Sequence, residues 1–261
     1  MLFWVLLVLG IVLLFVFPIG GIILIVVALV MHFLNKKSWW YIKPGLRWKC
    51  SHWNSHKKPV RPSLTYSDEV QDISGKDFSF LEQLMEANIN MLFVGDFFQH
   101  TYNTSLDGNV NKNLFDDPIK YMKRFEDNGV TPDTTTLLNS WRCSRTICDY
   151  ISANLGIRMS SNRTDNTVIQ IVSAPEKIER ILCDESIVKL HYQNSAKYGP
   201  SHKNWGDTKG EDCYGNVCVM LNKSTMQKYN AGKLSELAPL TRNKLYVAIT
   251  RSRENVYFVR E

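Results

Sequence analysis

No aspartate, glutamate, lysine or arginine occurs between Leu2 and Leu34, and an uncharged apolar run of that length is the signature of a membrane segment. The six cysteines, Cys50, Cys143, Cys148, Cys183, Cys213 and Cys218, contain no C-x-x-C pair. The Cys143/Cys148 and Cys213/Cys218 spacings also miss the common zinc-ligand patterns. They therefore read as reduced structural thiols, in keeping with a cytosolic location for the bulk of the chain. No internal repeat or low-complexity tract follows residue 63, and no G-x-x-x-x-G-K-[ST] run occurs anywhere in the 261 residues. That last absence excludes a phosphate-cradling loop of this type from these residues.

What remains is long enough for one or two domains, with about 200 residues available for buried cores once the apolar leader is set aside. A formal charge of +6 and a pI near 8.9 permit contact with nucleic acid or with an anionic membrane face and select neither.

A straight helix from Leu2 to Leu34 would be about 50 Å long against a hydrocarbon core of about 30 Å. Pro18, Gly20 and Gly21 lie near its middle, so residues 1–35 are expected to form either a helical hairpin or one kinked, tilted span. No basic residue precedes the run, which argues against a cleaved signal peptide. Lys36, Lys37, Lys43, Arg47, Lys49, Lys57, Lys58 and Arg61 follow it, and the positive-inside rule puts the chain after residue 35 in the cytoplasm. Trp39, Trp40, Tyr41, Trp48 and Trp53 in this basic linker, residues 36–63, suit an interfacial aromatic belt or, alternatively, stacking on bases.

Apolar periodicity beyond residue 63 predicts strands over Leu64–Ser67, Asn90–Val94, Thr134–Leu138, Val168–Val172, Ile187–Tyr192, Asn216–Leu221 and Asn255–Val259. Helices are predicted over Phe78–Glu86, Pro118–Glu126, from a Ser144 cap through about Asn154, and near 225–231 and 241–252. Strands alternating with helices imply an α/β fold with a largely parallel sheet covered on both faces.

Two short acidic signatures sit at predicted strand ends, where α/β sheets place their ligands. These are Asp68-Glu69-Val70-Gln71-Asp72 and Val94-Gly95-Asp96-Phe97-Phe98-Gln99. Adjacent carboxylates after a strand suit a division of labour in which Asp68 holds hydrated Mg²⁺ and Glu69 takes a proton from an attacking water. The plain alternative is a solvated acidic loop. Downstream, in order, come Leu138-Asn139-Ser140-Trp141-Arg142, Asp207-Thr208-Lys209-Gly210-Glu211-Asp212 and Leu245-Tyr246-Val247-Ala248-Ile249-Thr250-Arg251-Ser252-Arg253.

In this order the stations over residues 64–261 resemble the UvrD/Rep-type superfamily 1 helicases. The resemblance implies a P-loop NTPase fold of RecA-like lobes, a truncated first lobe at 64–136 and a second lobe at 137–261. It also implies ATP and Mg²⁺ as cofactors and single-stranded DNA or other nucleic acid as partner. By resemblance Glu69, Gln99, Arg142 and Arg251 are catalytic, with Gln99 sensing the γ-phosphate and both arginines reaching it. A guanidinium suits that role because its planar fork meets phosphate oxygens bidentately. Asp68, Gln71, Gly95, Asp96, Lys209, Gly210 and Glu211 would face nucleotide and metal, and Tyr102 and Thr208 would face nucleic acid. Trp141 stands where the family more often has tyrosine, and Cys213-Tyr214 replaces the usual Phe-Asp.

The missing phosphate loop bears on activity. Between residue 35 and Asp68 there is a single glycine, Gly45, where a strand–loop–helix–strand unit alone takes about 30 residues. The expectation is a membrane-anchored helicase homologue that needs a partner chain to supply the loop for ATP hydrolysis. The alternative is a non-enzymatic module that binds nucleic acid or protein at the membrane. His191 and His202 show no ligand spacing and read as ordinary surface or core residues.

Overall fold

In a computed structural model the described residues lie within one unit, Val60–Glu261. The structure describes residues 65–87, 89–101, 111 and 113–261. The expected membrane segment, the basic linker and Tyr102 lie outside the described residues. Among the described residues no helix is long and apolar enough to cross a membrane. The architecture is mixed α/β, and among the described residues every strand pairing is parallel.

Strands β1 (Thr65–Ser67) and β2 (Met91–Phe93) form a small sheet in the register Thr65 to Met91 through Ser67 to Phe93. Helix α1 (Gly75–Glu86) connects them, and α2 (Pro118–Asp127) follows. Pro118 starts α2 because the first helical position needs no N–H, and the Asp117 carboxylate accepts from Ile119 N at 2.8 Å as its cap. The buried Phe78, Leu81, Phe97, Phe115, Tyr121 and Phe125 fill the space between these elements, each large side chain contributing about 1.5–3 kcal/mol on burial.

A short pair follows, β3 (Asn139–Ser140) beside β4 (Ser160–Ser161), with α3 (Arg145–Leu155) between them. The predicted strand over Thr134–Leu138 is not formed. The Asp133 carboxylate accepts from Thr135 N at 2.8 Å and Thr136 N at 3.1 Å, and the hydroxyls of both threonines donate to it. These local bonds draw the segment into a turn, as short polar side chains do when they compete with a ladder. The expected cap of α3 is present: Ser144 Oγ accepts from Ile147 N, and Gly156 closes the helix at φ 67°.

The main sheet has the order β5-β9-β8-β6-β7. Its strands are β5 (Ile169–Ile171), β6 (Val188–His191), β7 (His202–Asn204), β8 (Val217–Leu221) and β9 (Val256–Arg260). Every residue of central β8 is buried. Successive side chains alternate faces, so Val217, Val219 and Leu221 join the core beneath α3 and α6 (Pro239–Thr250). Cys218 and Met220 pack on the other face with Ile181 of α4 (Pro175–Cys183). Helix α4 has no counterpart among the predictions, although Pro175 at its start and Ile178, Ile181 and Leu182 on one face carry the usual signal. Helix α5 (Lys223–Asn230) leads toward α6. From Leu245 to Thr250 α6 is wholly buried, and it touches both sheets' surroundings: Phe98 meets Tyr246 edge-on, and Asn243 Nδ2 donates to the His100 carbonyl at 3.0 Å.

Candidate functional site

The acidic pentapeptide leaves β1 in an uncommon backbone state. Glu69 has φ 55° and ψ 41°, a left-handed conformation that costs a non-glycine residue about 1 kcal/mol or more. The turn directs Gln71 inward, where it is fully buried. Its amide donates to Glu69 Oε2 at 2.5 Å, its carbonyl oxygen Oε1 accepts from Asp96 N at 3.0 Å, and its backbone carbonyl meets His100 Nδ1 at 2.8 Å. Gly95 permits this approach, because a Cβ at that position would lie 2.3 Å from Gln71 Oε1.

The Asp96 carboxylate is the next junction. It accepts from Phe98 N at 3.0 Å, from Gln99 Nε2 at 3.1 Å and from the Tyr246 hydroxyl of α6 at 2.7 Å. Burial, reinforced by the Asp96 charge, raises the Tyr246 phenol well above its ordinary range, so it stays a donor. Lys209 approaches from the other side, with Nζ 2.5 Å from Asp72 Oδ1 and 3.2 Å from Glu69 Oε2.

Arg251 is 1% exposed. Its guanidinium is turned toward backbone: Nε to the Val247 carbonyl at 3.2 Å, and Nη1 to the carbonyls of Thr208 at 3.4 Å and Glu211 at 3.1 Å. It thus holds the loop that carries Lys209, with Gly210 at φ 80°. Burial, then the nearby Arg142 charge, lowers its pKa from the ordinary arginine value. Thr208 is buried, its hydroxyl donating to the Trp205 carbonyl at 2.9 Å. Glu211 pairs with Lys203 at 2.5 Å and accepts from the Tyr214 hydroxyl.

Arg142 opens onto a cleft of about 770 Å³ shared with Trp141, Arg163, Asp212 and Arg253. Asp212 bridges Arg142 and Arg253, the latter at 3.0 Å, while Arg163 donates to the Arg142 and Arg253 carbonyls. Trp141 is 80% exposed at its rim.

The structure therefore brings Glu69, Gln71, Gly95, Asp96, Gln99 and Lys209 into one connected group, with Asp68 accepting from Glu69 N at 2.9 Å. Arg251 joins it through the 208–211 loop, and Arg142 borders the separate cleft. Sequence reasoning left out Tyr246, His100, Arg163 and Arg253. Tyr246 was visible only as part of its motif, since nothing local shows that a residue 150 positions from Asp96 meets it. His191 and His202 touch each other, Nε2 to Nδ1 at 2.8 Å, and His191 Nδ1 lies 3.0 Å from Glu261 Oε1; strand pairing of β6 with β7 creates this contact and sequence spacing hides it.

The donor set fits one half of a magnesium nucleotide. Mg²⁺ usually takes one or two carboxylates and completes its shell with waters and phosphate oxygens, and exposed Asp68 suits that role. Among the described residues no group of three metal-ligating side chains gathers. The phosphate half fits poorly: Lys209 is engaged by two carboxylates, Arg251 by carbonyls and Arg142 by Asp212.

No protein-family model matches the chain, and no curated protein matches it. Among solved structures it is similar to a PRRSV helicase, with 16% identity, a TM-score of 0.47 and coverage of 82% of this chain and 42% of that one. A second structure, PRRSV nsp10 (helicase), shows 16% identity, a TM-score of 0.30 and coverage of 76% and 36%. The chain spans less than half the length of either.

Proposed function

We infer that residues 64–261 carry a nucleotide site of the UvrD-like superfamily 1 helicase type, ancestrally coupled to ATP-dependent translocation on DNA. In this reading the two P-loop NTPase lobes are residues 64–136 and 137–261, and a partner chain supplies the phosphate loop. One observation carries it: signatures distant in sequence interlock through Gln71, Asp96, Tyr246 and Lys209, which a solvated acidic loop would not require. Bound Mg²⁺ would neutralise phosphate charge beside Asp68. Glu69 would hold a proton acceptor toward a water, and Gln99, oriented by Asp96, would report the state of the site. Residues 1–35 would anchor the protein in a membrane, with the remainder facing the cytoplasm.

Mg²⁺-ATP should raise the melting temperature of the full chain, a ligand at 100 times its Kd stabilising by about 2.7 kcal/mol. Turnover should be weak or absent without the partner, because even one lost preorganised donor costs catalysis about 3–4 kcal/mol. Brisk Mg²⁺-dependent hydrolysis by the purified chain, abolished by Glu69→Gln, would overturn the need for a partner. The engagement of Lys209 and Arg251 by protein groups favours one second reading, a binding module without catalysis. Single-strand binding that is steeply salt-dependent, with no thermal response to Mg²⁺-ATP, selects that reading.

A further inference from the structure

Leu190 of β6 packs in the core beneath α3 and α6, so its neighbours Lys189 and His191 point to the opposite face of the main sheet. His202, the first residue of β7, pairs in register with Lys189 and shares that face. His191 is 2% exposed, and both its nitrogens are engaged: Nδ1 lies 3.0 Å from Glu261 Oε1, and Nε2 lies 2.8 Å from His202 Nδ1. A carboxylate only accepts, so His191 carries its proton on Nδ1 and presents a lone pair at Nε2. His202 must then donate from Nδ1, which leaves its Nε2 as the nitrogen open to a further proton. The Tyr198 ring stacks on both imidazoles, its centroid 4.3 Å from that of His191 and 5.5 Å from that of His202. Among the described residues, the charged and titratable groups facing the pair are Glu261, Tyr198 and the fully buried Lys189, whose ammonium donates to the Asp184 carbonyl.

We propose that the His191–His202 pair is a proton-operated latch, which holds β7 against β6 while the pair is neutral and releases it as the pair takes up protons. Strand β7 ends the main sheet among the described residues, so it can leave without parting two neighbours. A first proton, on His202 Nε2, keeps both hydrogen bonds but sets a charge near Lys189, which the Glu261 carboxylate behind His191 offsets in part. A second needs His191 Nε2, where it would point at the His202 N–H across 2.8 Å and break the chain. Burial, then the His191 and Lys189 charges, hold His202 below the ordinary imidazole value of 6.5. The released strand binds its proton at that ordinary value, so closure is fully favoured above about pH 6.5 and loses ground as the pH falls toward the lower folded value. Strand β7 runs through Gly206–Thr208 straight into Lys209, whose ammonium holds Asp72 and Glu69, and release loosens that bridge. For this last consequence the proposal rests on the nucleotide-site reading above; the latch itself does not.

The test uses the full chain in detergent. With nitrogen-labelled histidine, neutral His191 and His202 should both show the Nδ1–H tautomer, and an Nε2–H form of either overturns the proton chain. Two amides report the latch, because Lys189 N donates to the Ser201 carbonyl at 3.0 Å and Trp205 N to the His191 carbonyl at 2.7 Å. Their hydrogen exchange, corrected for its intrinsic pH dependence and referred to β8, should open roughly tenfold more near pH 5 than near pH 7, the yield of about one proton taken up. His202→Asn keeps a donor near the Nδ1 position without a titratable ring, and should abolish this pH dependence with circular dichroism unchanged. Glu261→Gln removes the charge that offsets an added proton and should enlarge the acid opening severalfold, an arm that stands if the asparagine variant misfolds. Opening independent of pH, pH dependence that survives in folded His202→Asn, or an opening in Glu261→Gln no larger than in the native chain each overturn the latch. A thermal response to Mg²⁺-ATP that weakens in acid in the native chain and not in His202→Asn puts Lys209 under the latch's control. A response equal at both pH values overturns that control, and no response at either, with the opening as described, sinks the nucleotide reading and leaves the latch standing.

Discussion

A methyl group at position 95 has no room, since it would sit 2.3 Å from Gln71 Oε1 and 3.0 Å from Val70 Cγ1. Gly95→Ala must displace Gln71 and strand the Asp96 amide, which costs about 1–3 kcal/mol in urea unfolding and should blunt any response to Mg²⁺-ATP. Tyr246→Phe removes one donor to Asp96 and should cost about 1.5–3 kcal/mol, the range for a bond to a charged group. Glu211 gives a pH signature. Burial pushes its carboxyl up, but hydrogen bonds from Lys203 and Tyr214 and the Lys203 and Arg251 charges outweigh this, and the net direction is below the ordinary value of 4.5. A depressed carboxylate stabilises the fold above its unfolded pKa and loses that contribution as pH falls through its folded pKa. The stability gap between the native chain and Glu211→Gln should therefore be present at neutral pH and close as the pH drops below about 4.5, read from denaturant midpoints. The gap should be small, because Glu211 remains a third exposed.

Helix α3 depends on one hydroxyl. Ser144 Oγ accepts from Ile147 N at 3.3 Å and bonds Thr167, so Ser144→Ala should lower stability by about 1 kcal/mol, measured by thermal unfolding. At this scale the sequence was most readable: α1, α2, α3, α5 and α6 and the long strands all have an apolar period and an end signal, and their ends move by only a few residues. Two causes hid the rest. Asp133 takes Thr135 and Thr136 out of a β-looking run, a local competition that propensity cannot weigh. Strands β3, β4 and β7 are too short and polar to show a period, because pairing rather than burial defines them. The site was legible as separate signatures, including the Gly95–Asp96 turn. The turning of Arg251 toward carbonyls and the link from Asp96 to Tyr246 are tertiary facts with no local trace.

For the molecule as a whole, the two sheets differ in how thoroughly they are enclosed. The main sheet has buried centres in β6 and β8 and cores on both faces, whereas among the described residues β1 and β2 pair only with each other and leave Tyr66 and Leu92 half exposed. Hydrogen exchange of the full chain should show β8 and β9 opening only with global unfolding, and β1 and β2 opening at distinctly lower free energy. Exchange at β2 as slow as at β8 would contradict this.

The bond between Tyr246 and Asp96 also orders events in time. Closing a loop of 150 residues carries an entropy cost that only late, cooperative packing can offset. A ribosome releases Asp96 long before it makes Tyr246, so the nascent acidic site has only its bonds to Gln71, Phe98 and Gln99 until α6 exists. During synthesis the Asp96 carboxylate therefore lacks its Tyr246 donor until the last of the helices has emerged.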